Sequence, residues 1–246
     1  MTNPVSQQRL AKAFVDLAAG GESSEPSDPT GLLEALATHG TALLGDCAAT
    51  VVYVPDDHAA AQVAATGADL VRLARDAAAW GEGPGQQARR TGHPVPDTEL
   101  GGERARRDWP RYTPRALELG YGRVAALPLR VGADTLGALV LLGRGSAALR
   151  PELLELGQSL TDVAGWTLDR ERRLSATRAL ADQLGEALTS RVIIEQAKGT
   201  LAARLSVTVD EAFRLLRAHA RSHRRRLSEV AREVVEHRLD LRSRQQ

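Results

Sequence analysis

Six arginines crowd into the thirteen residues from 214 to 226: Arg214, Arg217, Arg221, Arg224, Arg225 and Arg226. On a helix the first three, spaced three and four apart, form one row, and the last three carry the charge into the next turn. Lys198 adds a cation beside an apolar helical stripe of Ile193, Ile194, Ala197, Leu201 and Leu205. A row of guanidinium groups of one sign is chemistry for phosphate oxygens, so the pattern predicts a polyanion-binding face. The plainer alternative is a solvated charged face, with Arg191 and Lys198 answered by Glu195. Phe213 is the tail's only aromatic and falls on its apolar side. Stacking platforms for extended single strands are therefore not expected, and a folded nucleic acid suits the pattern better.

Other reactive residues make weaker patterns. His219 and His223 stand four apart, which is metal-ligand spacing, but no glutamate lies between them and the neighbouring arginines repel cations. Gly81 to Gly85 is glycine-rich yet matches neither phosphate-loop spacing, and a turn before a helix explains it. In Lys198-Gly199-Thr200 the lysine precedes the glycine inside a helical pattern, so no phosphate loop forms there. Cys47 is the only cysteine, which excludes an internal disulfide or thiolate zinc cluster and suits a buried small hydrophobe. No serine sits in a nucleophile elbow. No catalytic residues, no metal and no cofactor are expected, and the protein reads as a non-enzyme.

The elements that must carry these residues follow from hydropathy. The chain has 246 residues, 43% of them apolar and 26% charged, a composition for one large or two ordinary domains. Its net charge of +1 hides an asymmetry. Residues 1–169 hold 15 Lys and Arg against 21 Asp and Glu, whereas residues 170–246 hold 17 against 10. The longest apolar stretch, Val124 to Leu142, is broken by Arg130 and Asp134, and the first residues lack the apolar core of a signal peptide, so a cytoplasmic location without a membrane partner is expected.

Residues 1–21 are predicted as a helix, followed by a polar connector and a second helix with a stripe at Leu32, Leu33, Leu36 and Leu43. Ala48 to Val54 is predicted as a strand. Val124 to Arg130 and Thr135 to Leu142 read as adjacent antiparallel strands with a short connection. Between the first strand and this pair lies helix-like material, interrupted at Gly81 to Gly85 and at Pro94-Val95-Pro96. Pro151 opens a helix that runs to about Leu205, longer than a domain needs; Leu180, Leu184 and Leu188 on it suggest a two-helix contact. Thr208 and Glu211 form a capping box for the next helix, and Ser228 is expected to cap the last. The fold class is α+β: one antiparallel sheet flanked by helices, a long connecting helix and a small three-helix bundle.

The tail resembles the ANTAR family at Ser190-Arg191-Val192-Ile193-Ile194-Glu195-Gln196-Ala197-Lys198-Gly199, at Asp210-Glu211-Ala212-Phe213 with Leu215-Leu216-Arg217 and Ala220, and at Leu227-Ser228 with Val230-Ala231. The upstream region is similar to GAF sensor domains through Gly81-Glu82-Gly83-Pro84, Arg90 to Val95, Trp109 to Tyr112, Ala126 to Leu129 and Leu136 to Leu139. The ANTAR resemblance implies an RNA-binding transcription antitermination regulator. Such a protein binds paired stem-loops of nascent leader RNA as a homodimer and prevents an overlapping terminator hairpin. It implies RNA-contact roles for Lys198, Gly199, Arg217, Ala220, Arg221, Arg224, Arg225 and Arg226, to which the helical row adds Arg214. At the basic turn the family often has asparagine, where this chain has Ser222-His223. Gly199 either lets RNA approach closely or serves helix packing.

The GAF resemblance implies a small-molecule ligand or protein partner, with Trp80, His93, Trp109 and Tyr112 as pocket candidates. Cyclic nucleotide is disfavoured because Asn3 is the only asparagine. A GAF-fold methionine sulfoxide reductase would need several cysteines. The expected organisation is an N-terminal helix and connector at 1–29, the GAF-like domain at 30–168, a helical stalk at 169–188 and the ANTAR domain at 189–246. A DNA-binding sensor and a protein-interaction module are the competing readings.

Overall fold

The computed structural model describes residues 4–20, 28–45, 47–55, 59–145 and 147–239. In chain order the elements are α1 (Pro4–Ala19), α2 (Thr30–Leu44), β1 (Cys47–Tyr53), β2 (Gln62–Ala65), α3 (Ala68–Trp80), α4 (Pro84–Thr91), β3 (Val95–Glu99), α5 (Glu103–Asp108), α6 (Tyr112–Glu118), β4 (Tyr121–Val131), β5 (Asp134–Arg144), α7 (Pro151–Leu205), α8 (Val209–Ser222) and α9 (Leu227–Val235). They form two compact units, residues 1–175 and 176–246, with α7 contributing to each.

The first unit is built on a five-stranded antiparallel sheet in the order β2-β1-β5-β4-β3. Alternation along the central strands serves both faces. Leu127, Leu129, Leu139 and Leu141 join one core with α1, α2 and the start of α7, while Val124, Ala126, Val140 and Leu142 join a second with residues of α3 to α6. Because both faces are covered, β4 and β5 read as nearly continuous apolar runs instead of an alternating pattern. Gly165 lets α7 lie hard against β4: a Cβ there would meet the Arg130 carbonyl oxygen at 1.7 Å.

Two strands escape the sequence pattern. The segment Pro94-Val95-Pro96, expected as an interruption of helices, opens β3, and the four residues of β2 give no strand signal of their own. Both lie at sheet edges, where proline and short strands are tolerated because one side of the backbone needs no partner. The glycine-rich turn is structural, as expected. Gly81 closes α3 in the left-handed conformation, Pro84 opens α4, and Glu82 Oε1 accepts the backbone N–H groups of Arg111 and Tyr112 at 2.6 and 2.9 Å.

In the second unit, Ala197 and Leu201 of α7, Ala212, Leu216 and Ala220 of α8, and Val230, Ala231 and Val234 of α9 bury one another. The capping box is present: Thr208 Oγ1 accepts from Glu211 N at 3.2 Å, and Glu211 Oε2 accepts from Thr208 N at 3.0 Å. The last helix departs from expectation by two residues. Arg226, not Ser228, occupies its N-cap, and Ser228 is already helical.

Candidate nucleic-acid interface

The burial of α8 decides which cations face outward. With Ala212, Leu216 and Ala220 inward, Arg214, Arg217 and Arg221 are exposed as a row, and Arg224 and Arg226 are exposed in the turn that follows. Arg214 has a loose contact with Glu211 at 3.6 Å, exposed enough to contribute little. Arg217, Arg221, Arg224 and Arg226 have no carboxylate partner among the described residues.

Arg225 is different. Its Nη1 and Nη2 donate to the two carboxylate oxygens of Glu233, tying the turn to α9. That hydrogen bonding holds the Glu233 carboxyl below its ordinary pKa and raises Arg225 above its own. Ala220, expected at the contact face, is 5% exposed and belongs to the core of the unit. Ala220 therefore builds the bundle, and Arg225, its side chain 35% exposed, spends its donors on Glu233.

Lys198 is half-buried. Its ammonium donates to Glu195 at 2.9 Å and lies 5.3 Å from the centre of the Phe213 ring, a cation–π contact that covers the aromatic face. Phe213 is correspondingly half-buried, one helical turn from Arg217. Gly199 beside it is exposed, and a Cβ there would meet nothing within 4 Å. Packing inside the unit does not account for that glycine.

The turn after α8 holds a backbone feature invisible in the sequence. Arg224 adopts φ 53°, with its N–H donating to Arg221 O at 3.2 Å and the N–H of Arg225 to Ala220 O at 2.9 Å. This is a Schellman helix stop, whose left-handed position favours glycine or asparagine. His219 and His223 stack with ring centroids 4.0 Å apart. His223 Nδ1 donates to the His219 carbonyl at 2.9 Å, and no three potential ligand side chains gather for a metal among the described residues.

In the first unit the four aromatic and histidine candidates separate. Trp109 and Tyr112 are buried in an edge-to-face pair with centroids 6.4 Å apart, and Trp109 Nε1 donates to Gln87 Oε1 at 3.0 Å. Burial pushes the Tyr112 hydroxyl pKa well up. The cavity beside Tyr112 measures about 20 Å³, room for one water. Trp80 is half-buried and His93 exposed. A roomier cleft, about 330 Å³, lies beside Tyr53 and Arg172, neither of which stood out in the sequence.

A family model described as "GAF domain" matches residues 26–169, and one described as "ANTAR domain" matches residues 182–235. No curated protein matches the chain. Among solved structures it is similar to the GAF domain of an Acinetobacter phosphoenolpyruvate-protein phosphotransferase, at 10% identity over 72% of this chain and 99% of that one with a TM-score of 0.49. It is also similar to the GAF domain of a putative sensor histidine kinase from Pseudomonas syringae pv. tomato, at 16% identity over 71% and 92% with a TM-score of 0.43.

Proposed function

The chain belongs to the GAF domain family over more than half its length and carries an ANTAR domain behind it; from that premise we propose that it is a signal-responsive, RNA-binding transcription antiterminator. In this reading the second unit binds paired stem-loops of a nascent leader transcript in the cytoplasm and keeps the overlapping terminator hairpin from forming. The first unit receives the signal, and the protein has a regulatory role without catalysis.

The observation that carries the reading is the set of Arg217, Arg221, Arg224 and Arg226: exposed, close in sequence, and without a carboxylate partner among the described residues, while Arg225 is committed to Glu233. Unpaired guanidinium groups keep their donors for phosphate oxygens and for the edges of unstacked loop bases. Lys198, Gly199 and Arg214 complete the contact set. Arg225 and Ala220 support it from below.

A homodimer fits a paired target. Leu180, Leu184 and Leu188 recur every four residues on α7 with exposures of 56, 62 and 65%. Such a stripe on a helix is stabilised by a second copy of itself. Two copies would present two arginine rows to two stem-loops, and joint engagement multiplies affinity without new contacts.

Gel-shift titration of the whole protein against a two-hairpin RNA, a one-hairpin RNA and duplex DNA, each at several salt concentrations, tests the proposal. The two-hairpin RNA should bind tightest. The double variant R217A/R221A should lower the slope of log affinity against log salt by about 2, one for each lost phosphate contact. Equal binding of duplex DNA, or an unchanged slope in the double variant, overturns it.

A further inference from the structure

Tyr53 and Gln62 are direct partners across the β1–β2 ladder, so their side chains leave the same face of the sheet. They open onto the cleft of about 330 Å³, whose other walls are Pro29, Pro55 and the turn of α7 that includes Leu168, Glu171 and Arg172. Tyr53 is 3% exposed overall and forms part of the cleft wall. Gln62 brings a polar atom that has been removed from water without compensation. Its Oε1 is buried and has no hydrogen-bond partner among the described residues. An orphaned buried polar atom is costly enough that most have a partner, and this one lies at the wall of a cleft that could supply it.

The third group is a cation. Arg172 lies near enough to Tyr53 to oppose the effect of burial on its phenol, and it has no carboxylate partner among the described residues. Guanidinium and phenol hydroxyl together offer donors to an oxyanion, whereas Gln62 Oε1 can only accept. The apolar walls at Leu168, Pro29 and Pro55 accommodate a short carbon skeleton. The cleft has the volume of a small-ligand site, unlike the nearly filled space beside Tyr112.

We propose that this cleft binds a small 2-hydroxy or 2-amino carboxylate, its carboxylate held by Arg172 and the Tyr53 hydroxyl and its neighbouring O–H or N–H donating to Gln62 Oε1. Arg172 belongs to α7, the helix that also carries Lys198, so occupancy acts on the element shared by the two units. The binding claim stands without the RNA reading, and only its regulatory use rests on that reading.

Isothermal titration of the whole protein at millimolar concentrations of L-lactate, L-alanine, propionate and inorganic phosphate tests it. Lactate or alanine should bind, with propionate, which lacks the donor, weaker by about tenfold because Gln62 stays unsatisfied. Arg172→Gln should weaken binding by about tenfold or more. Tyr53→Phe, which keeps the ring and so the packing, should weaken it severalfold while leaving the tryptophan-detected melting transition in place. Binding of neither lactate nor alanine overturns the proposal. So does equal binding of propionate or phosphate, or binding indifferent to both substitutions. RNA affinity measured with and without the bound acid is a separate readout: its constancy would remove the regulatory use and leave the site.

Discussion

Arg225 grips Glu233 with two parallel hydrogen bonds, Nη1 to Oε2 at 2.9 Å and Nη2 to Oε1 at 2.7 Å. The fork joins the stop of α8 to the last turn of α9 and so fixes the turn that holds Arg224 and Arg226 outward. Its loss should loosen that turn. Arg225→Ala is expected to speed amide hydrogen exchange in α9 more than in β4 and β5, and to weaken RNA binding indirectly. Unaltered exchange in α9 would count against the positioning role.

The same pair sets a pH dependence. Hydrogen bonding to Arg225 depresses the Glu233 carboxyl below its ordinary 4.5 in the folded state. Hydrogen bonding to the Thr208 backbone and side chain likewise depresses Glu211. Both contributions are fully present above the ordinary glutamate value and are lost as pH falls through the lower folded values. All tryptophans and tyrosines lie within residues 1–175. Tryptophan fluorescence therefore follows the first unit, and a far-ultraviolet circular-dichroism transition without a fluorescence counterpart reports the second. That second transition should weaken below pH 4.5, and Glu233→Gln should leave only the part due to Glu211.

Arg224 occupies a backbone position better suited to glycine. Arg224→Gly should relieve the left-handed strain and raise the stability of the second unit by about 1 kcal/mol. If the side chain contacts RNA, affinity falls in the same variant. Opposite signs for the two measurements would mark a strain retained for binding, and parallel signs would assign Arg224 to the fold alone.

Gly199 allows a similar separation. Since a Cβ there meets nothing, Gly199→Ala should stabilise α7 by about 1 kcal/mol through helix propensity. A close RNA approach would then be obstructed and gel-shift affinity reduced. Unchanged affinity would remove Gly199 from the contact set.

The exposed leucines of α7 predict the oligomeric state. Leu184→Glu with Leu188→Glu should convert a dimer to a monomer in light scattering and reduce the preference for two-hairpin over one-hairpin RNA. Since both side chains are more than 60% exposed within the chain, its melting should barely change.

Much of this was legible in residue order. Continuous apolar runs marked β4 and β5, Thr208 and Glu211 marked the start of α8, and three-four spacing marked its arginine row, because each signal is local and repeats with the period of its element. The edge strands β2 and β3 were not legible, since pairing with longer neighbours specifies them and their own residues do not. Nor could spacing separate Arg225 from Arg224 and Arg226. Only the return of α9 brings Glu233 to one guanidinium and leaves the adjacent two in water, and only the β1–β2 pairing sets Tyr53 and Gln62 on the same cleft as Arg172. Helical phase and strand alternation determine which face a side chain takes. What it meets there depends on chain segments distant in sequence, and that was decided by the tertiary structure.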